Sequence, residues 1–121
     1  MNTLLLVMTL LACKHFVIDF MLQDGYQLNG KGIYGHPGGL LHSGLHGCGT
    51  AFAFMLLLSP IETLTVALAD AITHYHIDWA KVKITVWSGA PFNGDLWWRL
   101  FGLDQLLHAL TYIALTWWAL T

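Results

Sequence analysis

The stretch "LACKHFVIDFMLQDG" (residues 11–25) starts as an apolar helix and then places Lys14, His15 and Asp19 inside the apolar run. Charged and titratable side chains are costly in such surroundings unless they pair with one another or bind a cation. His15 and Asp19 are spaced i, i+4, so they project from one helix face, one turn apart. The stretch therefore predicts an apolar helix with a polar stripe that holds a ligand or a partner.

Three later segments repeat this spacing. The repeated pairs are His42 with His46, His74 with Asp78, and Asp104 with His108. The chain has 121 residues, of which 56% are hydrophobic and only 10% are charged. This composition is too apolar for an ordinary soluble domain. The recurrence in such a chain predicts several polar helix faces that meet inside an apolar surrounding.

Four segments approach the ~20 residues that are needed to cross ~30 Å of hydrocarbon. They cover about residues 2–23, 39–58, 60–80 and 96–120, and segments rich in Gly and Pro separate them. Asp95 is the expected N-cap of the last helix. The sequence thus predicts an all-α fold, namely a single transmembrane domain (residues 1–121) built as an antiparallel four-helix bundle with a metal cluster in its core.

The positive charges predict how these helices are oriented. Lys31 lies in the first long loop, and Lys81, Lys83 and Arg99 flank the loop before the last helix. Because short loops rich in Lys and Arg stay in the cytoplasm, we expect both loops there and both chain ends outside. The formal net charge of −2 provides no basic patch for nucleic acid. The lipid bilayer is the expected partner, and a homodimer stays open.

An antiparallel bundle would bring all four pairs into one layer near the cytoplasmic side. Five imidazoles and three carboxylates would then converge in hydrocarbon, where divalent cations offset the carboxylate charge. Two divalent ions, three aspartates and one hydroxide are charge-balanced, and eight ligands suit two ions of four or five coordination. The competing interpretations are interhelical hydrogen bonds and a proton relay without metal.

The predicted cofactors are two divalent metal ions. A set of His and Asp ligands favours zinc, with manganese or iron as alternatives. The predicted metal ligands are His15, Asp19, His42, His46, His74, Asp78, Asp104 and His108.

Four further polar residues lie near the predicted cluster. Lys81 continues the polar stripe of the third helix and is predicted to bind a phosphate oxygen and stabilise charge during catalysis, unless it only extends to the membrane interface. The catalytic proton acceptor is predicted to be whichever aspartate is not fully engaged, Asp70 included; pairing to Lys14, orientation of a ligand histidine or metal ligation are the alternatives for Asp70. Gln23 and Lys14 are predicted to contact substrate, unless Gln23 caps the helix end or Lys14 pairs with a carboxylate.

At these residues the chain resembles a family of small bacterial membrane proteins that is known only as a domain of unknown function. Its members share His-x-x-x-Asp-Phe, His-x-x-x-His, His-x-x-x-Asp-x-x-Lys and Asp-Gln-x-x-His. Here these motifs read "HFVIDF", "HSGLH", "HYHIDWAK" and "DQLLH", in this order and over nearly the whole chain. The resemblance implies a multi-pass protein of the bacterial inner membrane and supplies no activity.

Two more distant likenesses imply a chemistry. The chain is similar to inner-membrane metal-dependent hydrolases, which also pair His-x-x-x-His with a helix that bears His-x-x-x-Asp. The stretch "HFVIDFMLQ" resembles the His-x-x-x-Asp-x-x-Gln motif of zinc-dependent phospholipase C and related nucleases, which are all-helical enzymes that hydrolyse phosphodiesters with clustered zinc ions. One additional residue separates Asp19 from Gln23 here, and Asp24 replaces the usual proline.

The leading functional expectation is a membrane-embedded, dinuclear zinc hydrolase. Its substrate would be a phosphate ester, either a phospholipid, a lipid-linked phosphate or a small-molecule phosphate, cleaved at the cytoplasmic interface. Two other classes stay open: a metal-binding or metal- and proton-transporting membrane module, and a membrane di-iron oxidase.

Overall fold

A computed structural model describes residues 2–121 as an assembly of helices. Helix α1 (Thr3–Phe16) continues without a break into a π-helical segment (Val17–Leu22) and is followed by the short helix α2 (Gly25–Gly30). Three long helices complete the fold, namely α3 (Pro37–Phe54), α4 (Pro60–Trp87) and α5 (Asp95–Leu120). The described chain contains no strand, so the prediction of an all-α fold is confirmed.

Residue contacts define how the four long helices pack. Helix α3 runs antiparallel to α4, because His42 contacts His74 while Thr50, two turns later, contacts Asp70. Helix α1 runs antiparallel to α5, because His15 contacts Tyr112 while the earlier residue Met8 contacts the later residue Thr116. Contacts of α3 with α1 and of α5 with α4 close the ring. The result is an antiparallel four-helix bundle in which α2 packs on α3 at one end.

The helix ends follow local capping chemistry, and they correct several predicted boundaries. His36 caps α3 and Pro37 occupies its first turn, so this helix covers residues 37–54 rather than 39–58. A capping box of Ser59 and Glu62 starts α4 where it was predicted. This helix continues to Trp87, well beyond residue 80, because no breaker precedes Gly89, whose φ is +68°.

Two predictions about the connecting segments were wrong. The N-cap of α5 is Gly94 rather than Asp95, which is the first residue inside the helix. The segment 24–39, predicted as a linker, contains α2, because the Asp24 side chain accepts a hydrogen bond from the Gln27 backbone and starts a helical turn.

Burial is inverted relative to a soluble helical bundle. Among residues 2–121, twelve buried side chains are polar or charged and nine are hydrophobic, while large apolar residues such as Leu56 and Trp87 are 88% exposed. A small apolar core around Val7, Leu11 and Phe54 lies toward the chain termini. The buried His and Asp side chains occupy the other half of the bundle interior.

By length and composition, one helix of the described chain is able to cross a membrane. It is the continuous segment Thr3–Leu22, 20 residues long. The other three predicted spans do not meet the same criterion, because the glycines of α3 and the polar stripes of α4 and α5 lower their mean hydropathy. A multi-pass topology therefore stays a prediction.

Candidate metal centre

Four helical segments bring His and Asp side chains together at the polar end of the bundle. One group of ligand atoms, all within 4.8 Å of one another, comes from the π-helical segment, α3 and α4, and a second group comes from α4 and α5. The first group is Asp19, His42, His46 and His74, and the second is His74, Asp78 and His108. We call these six residues the His/Asp cluster. Each group could hold a metal ion.

The separations within the first group suit a small divalent cation. Asp19 Oδ1 lies 2.9 Å from His46 Nε2, 3.0 Å from His42 Nε2 and 3.9 Å from His74 Nε2. A tetrahedral zinc ion with bonds of ~2.0–2.2 Å holds its ligand atoms ~3.3–3.6 Å apart. A small adjustment of these side chains would therefore complete a coordination shell.

The two groups are contiguous. His74 belongs to both of them, and Asp78 Oδ2 lies 3.4 Å from the Nε2 atoms of His74 and His42. On its other side, Asp78 Oδ1 lies 3.2 Å from His108 Nε2. A carboxylate between two sets of imidazoles is the arrangement that lets one aspartate contact two neighbouring cations.

Two contacts of the cluster use its hydrogen-bonding atoms incompletely. The Nε2 atoms of His42 and His74 are 3.3 Å apart, so at most one of the two nitrogens carries a hydrogen in this contact. Among residues 2–121, buried atoms without a hydrogen-bond partner include Asp78 Oδ2, whose 2.9 Å contact with Lys31 Nζ is an ion pair without hydrogen-bond alignment. A buried polar atom without a hydrogen-bond partner is often explained by a bound ion or water.

Gln27 decides which nitrogen of His42 faces the cluster. The side-chain amide nitrogen of Gln27 donates to the Leu22 carbonyl at 3.1 Å, which leaves its Oε1 to accept from His42 Nδ1 at 3.0 Å. His42 therefore carries its hydrogen on Nδ1 and directs the Nε2 lone pair at Asp19 and His74. Ligand histidines are commonly oriented by such a second hydrogen bond.

Two predicted ligands lie at the margin of the cluster, outside both groups. His15 Nε2 faces two acceptors, Asp19 Oδ2 at 3.1 Å and Gln105 Oε1 at 3.0 Å, while its Nδ1 lies 2.7 Å from the Tyr112 hydroxyl. In this arrangement His15 donates from Nε2. Asp104 Oδ1 lies 3.5 Å from His108 Nε2. Ligation by His15 and Asp104 stays a prediction.

Asp70 and Lys14 form an ion pair behind the cluster, which is one of the alternatives predicted for them. Lys14 Nζ lies 2.5 Å from Asp70 Oδ2, and the same oxygen accepts from the Thr50 hydroxyl. Lys14 also contacts the His46 carbonyl at 3.1 Å and His46 Nδ1 at 3.3 Å. The pair therefore holds the His46 side of the cluster in place.

A cavity of about 230 Å³ opens beside the cluster at the polar end of the bundle. We call it the vestibule. Its polar lining consists of Asp19, Gln23, Lys31, Lys81, Asp104 and Gln105. Lys81 Nζ lies 5.6 Å from the ring centre of Phe101 and 5.9 Å from that of Trp97, so the aromatic rings hold its charge at the cavity wall. The predicted residues Gln23 and Lys81 thus share one cavity with two of the carboxylates.

A family model described as "Protein of unknown function (DUF3307)" matches residues 6–121. The chain belongs to this family. The match covers all four i, i+4 pairs and nearly all of the bundle, so the resemblance to a domain of unknown function is confirmed. No curated protein and no solved structure matches the chain. The more distant hydrolase likenesses stay predictions.

Within this DUF3307 chain, sequence reasoning missed four residues that contact the site. Gln27 and Lys31 come from the segment that was predicted as a linker, while Gln105 and Tyr112 lie on α5 and contact His15. Tyr112 lies four residues after His108 and so continues the i, i+4 series of Asp104 and His108 along one face of α5. Helical periodicity therefore offers a signal for Tyr112. No spacing in the sequence points to Gln27 or Lys31, because their approach depends on how the chain folds back over α3.

Proposed function

We propose that this protein is a membrane-embedded, dinuclear metal-dependent hydrolase that cleaves a phosphate ester at the cytoplasmic surface of a bacterial inner membrane. The observation that carries the proposal is a pair of adjoining metal-capable groups with the Asp78 carboxylate between their imidazoles, next to a vestibule whose lining includes two lysines. Neighbouring divalent ions beside a cationic pocket suit phosphoryl chemistry, in which the protein must neutralise charge on the substrate and activate water.

The burial pattern supports placement in a membrane. Apolar side chains cover the outside of the bundle, and the polar ones lie inside, which is the distribution that a lipid surrounding favours. The segment Thr3–Leu22 has the length and composition of a span. Lys31, Lys81 and the nearby Lys83 and Arg99 lie toward one end of the bundle, which we assign to the cytoplasm.

The six residues of the His/Asp cluster would hold the two ions. Nitrogen and carboxylate ligands without thiolate favour zinc, with manganese or iron as alternatives. When bound, the ions would activate a water molecule and polarise the phosphoryl oxygens.

Charge accounting supports a phosphate ester as the substrate. Two divalent ions, the ammonium groups of Lys31 and Lys81, three aspartates and one bound hydroxide would leave the site with about two positive charges. A phosphate monoester dianion would neutralise this excess. Lys31 and Lys81 would bind the phosphate oxygens, and Gln23 would contact the ester from the vestibule wall.

Asp104 is our choice for the proton acceptor. It lines the vestibule, lies outside both metal-capable groups, and has a buried Oδ1 without a hydrogen-bond partner in the described chain. Asp70, one acceptor expected from the sequence, is absent from the vestibule lining and neutralises Lys14. We therefore assign Asp70 to positioning of His46 rather than to proton transfer.

Elemental analysis of the purified protein tests the metal centre. We expect about two zinc equivalents in the wild type and a loss of metal in His42→Ala and Asp78→Ala. His76→Ala is the matched control, because His76 lies on α4 but contacts Tyr34 and the Ile72 carbonyl outside the cluster. Unchanged metal content in both cluster variants would contradict the proposal.

Phosphate release from alkyl phosphate monoesters, with and without a chelator, tests the activity. We expect release that the chelator abolishes and that added zinc restores. Stable metal binding with metal uptake into cells and no ester turnover would instead identify a binding or transport module. Bound iron with oxygen consumption would identify an oxidase.

A further inference from the structure

We propose that the substrate is a lipid phosphate monoester with a single hydrocarbon chain, which lies in a groove between α1 and α5 while its phosphate occupies the vestibule. The inference rests on the proposed function and specifies its substrate class. Three cavities that share residues carry it.

The groove starts at the vestibule. The next cavity, about 290 Å³ in volume, shares Gln105 with the vestibule and has His15, His108 and Tyr112 in its lining. This cavity therefore places the hydrocarbon groove directly against the cluster. We infer that a chain leaves the vestibule at Gln105 and enters this cavity there.

The groove continues along α1 and α5 toward the chain termini. A third cavity, about 510 Å³ in volume, shares Met8 and Ile113 with the second and ends near Trp117 and Thr121. Beyond Tyr112 its lining is apolar apart from two threonines. Gln105 and Thr121 are 16 positions apart, which corresponds to about 24 Å of helix. Because the chains of one leaflet fill about half of a ~30 Å hydrocarbon core, the groove is long enough for a whole chain.

The charge distribution fixes the direction of the occupant. The vestibule end carries Lys31 and Lys81, and Lys31 Nζ lies 2.9 Å from the cluster residue Asp78. The other end carries Leu4, Ile113 and Trp117 and no charged side chain in the cavity lining. An anionic head with an apolar tail matches this polarity, whereas a short, fully polar phosphate ester would leave the groove unused.

Photolabelling tests the groove independently of turnover. Hexadecylphosphonate, which has no ester bond to hydrolyse, is given a diazirine at the chain end and irradiated with the zinc-loaded protein in detergent micelles, and the labelled residues are mapped. We expect labelling near Leu4, Ile113 and Trp117, lost with excess hexadecylphosphonate but not with hexadecanol. Labelling spread evenly over the outer faces of α3 and α4, or equal competition by hexadecanol, would overturn the inference.

A kinetic comparison tests chain recognition. We compare kcat/KM for hexadecyl phosphate with that for butyl phosphate in the wild type, in Ala109→Phe, which fills the groove, and in Ala114→Phe, an exposed position of α5 absent from the lining. We expect the hexadecyl-to-butyl ratio to fall about tenfold in Ala109→Phe only. An unchanged ratio would refute groove binding.

The two experiments separate the two claims. If the zinc-loaded protein releases phosphate from neither ester, the proposed hydrolase function fails, and the labelling pattern still decides whether the groove holds a lipid phosphate. If both esters are cleaved with equal efficiency and labelling is diffuse, the hydrolase stands and the lipid assignment is wrong.

Discussion

At the scale of single residues, hydrogen bonds decide which atom of each histidine is directed at the cluster. Gln27 accepts from His42 Nδ1 and so leaves the Nε2 lone pair free. The neighbours of His15 have the opposite effect, because Gln105 accepts from its Nε2 and Asp19 Oδ2 lies 3.1 Å from the same nitrogen. Two histidines of similar sequence context therefore have different roles in the same site.

Gln27→Met should weaken metal binding, because methionine has a similar size but cannot accept the His42 Nδ1 hydrogen bond. Loss of such a supporting contact typically costs about 10- to 100-fold in metal affinity. Competition with a fluorescent zinc chelator measures the change. Gln23→Met is the matched control, since Gln23 contacts no ligand histidine among the described residues. Equal affinities in both variants would exclude this role for Gln27.

Asp70→Asn should destabilise the bundle, because it leaves the Lys14 ammonium buried without its counter-ion. Breaking one side of a buried pair costs about 3–5 kcal/mol. The double variant Lys14→Met/Asp70→Leu should recover most of that loss, as measured by denaturant unfolding in detergent. Phosphate release retained by the double variant would support a positioning role. If the double variant is stable and binds metal but releases no phosphate, Asp70 would instead be assigned as the proton acceptor.

At the scale of elements, the site depends on how closely α3 approaches α4. A methyl group built on Gly47 would lie 2.8 Å from the Ala67 carbonyl oxygen and 3.1 Å from the Ala71 Cβ. This contact brings His42 and His46 into register with His74. The π-helical segment makes a second adjustment, because it takes one more residue per hydrogen-bonded turn than an α-helix and keeps Gln23 beside Asp19 in the vestibule.

Gly47→Ala should separate α3 from α4 and lower the free energy of unfolding by about 1–3 kcal/mol, as expected for overpacking. Metal affinity should fall with it, because His46 is the preceding residue. Gly44→Ala on the same helix is the control. Nothing lies within 4 Å of its added methyl group, so higher helix propensity should leave stability unchanged or raise it by about 0.5–1 kcal/mol. Similar losses in both variants would argue against the close contact.

At the scale of the whole molecule, polar groups occupy the inside of the bundle and apolar groups its outside. Buried residues such as His46 and Asp70 are fully shielded, whereas Leu56 and Trp87 are largely exposed. In water this surface would favour aggregation. In a bilayer it is the expected surface, and the polar interior becomes the costly part that needs ion pairs or bound cations.

The proposed topology predicts which loops an impermeant maleimide reaches in intact cells. After replacement of Cys13 and Cys48 by serine, we expect Thr121→Cys to react from outside and Ser88→Cys to react only after permeabilisation. The reason is that Lys81, Lys83 and Arg99 retain the loop between α4 and α5 in the cytoplasm. The reverse pattern, or recovery of the protein in the soluble fraction, would contradict this topology.

The sequence by itself determined the helical class and the composition of the candidate site. Hydrophobic runs with i, i+4 pairs of His and Asp are local patterns, because one helical turn suffices to place both residues on a face. For the same reason, the approximate extents of the long helices were predictable. The convergence of His42 with His74 and Asp78 was predictable because an antiparallel bundle brings the pairs into one layer. The short helix α2 was not predictable, since its glycines and polar residues are typical of a linker.

Only the tertiary structure decided which members of the set meet directly and what supports them. It placed six His and Asp residues in two contiguous groups, moved His15 and Asp104 to the margin, and paired Lys14 with Asp70. It also brought Gln27 and Lys31 to the site. These outcomes depend on the distance and rotation between helices, which packing contacts such as those of Gly47 determine and which no spacing within a single helix encodes.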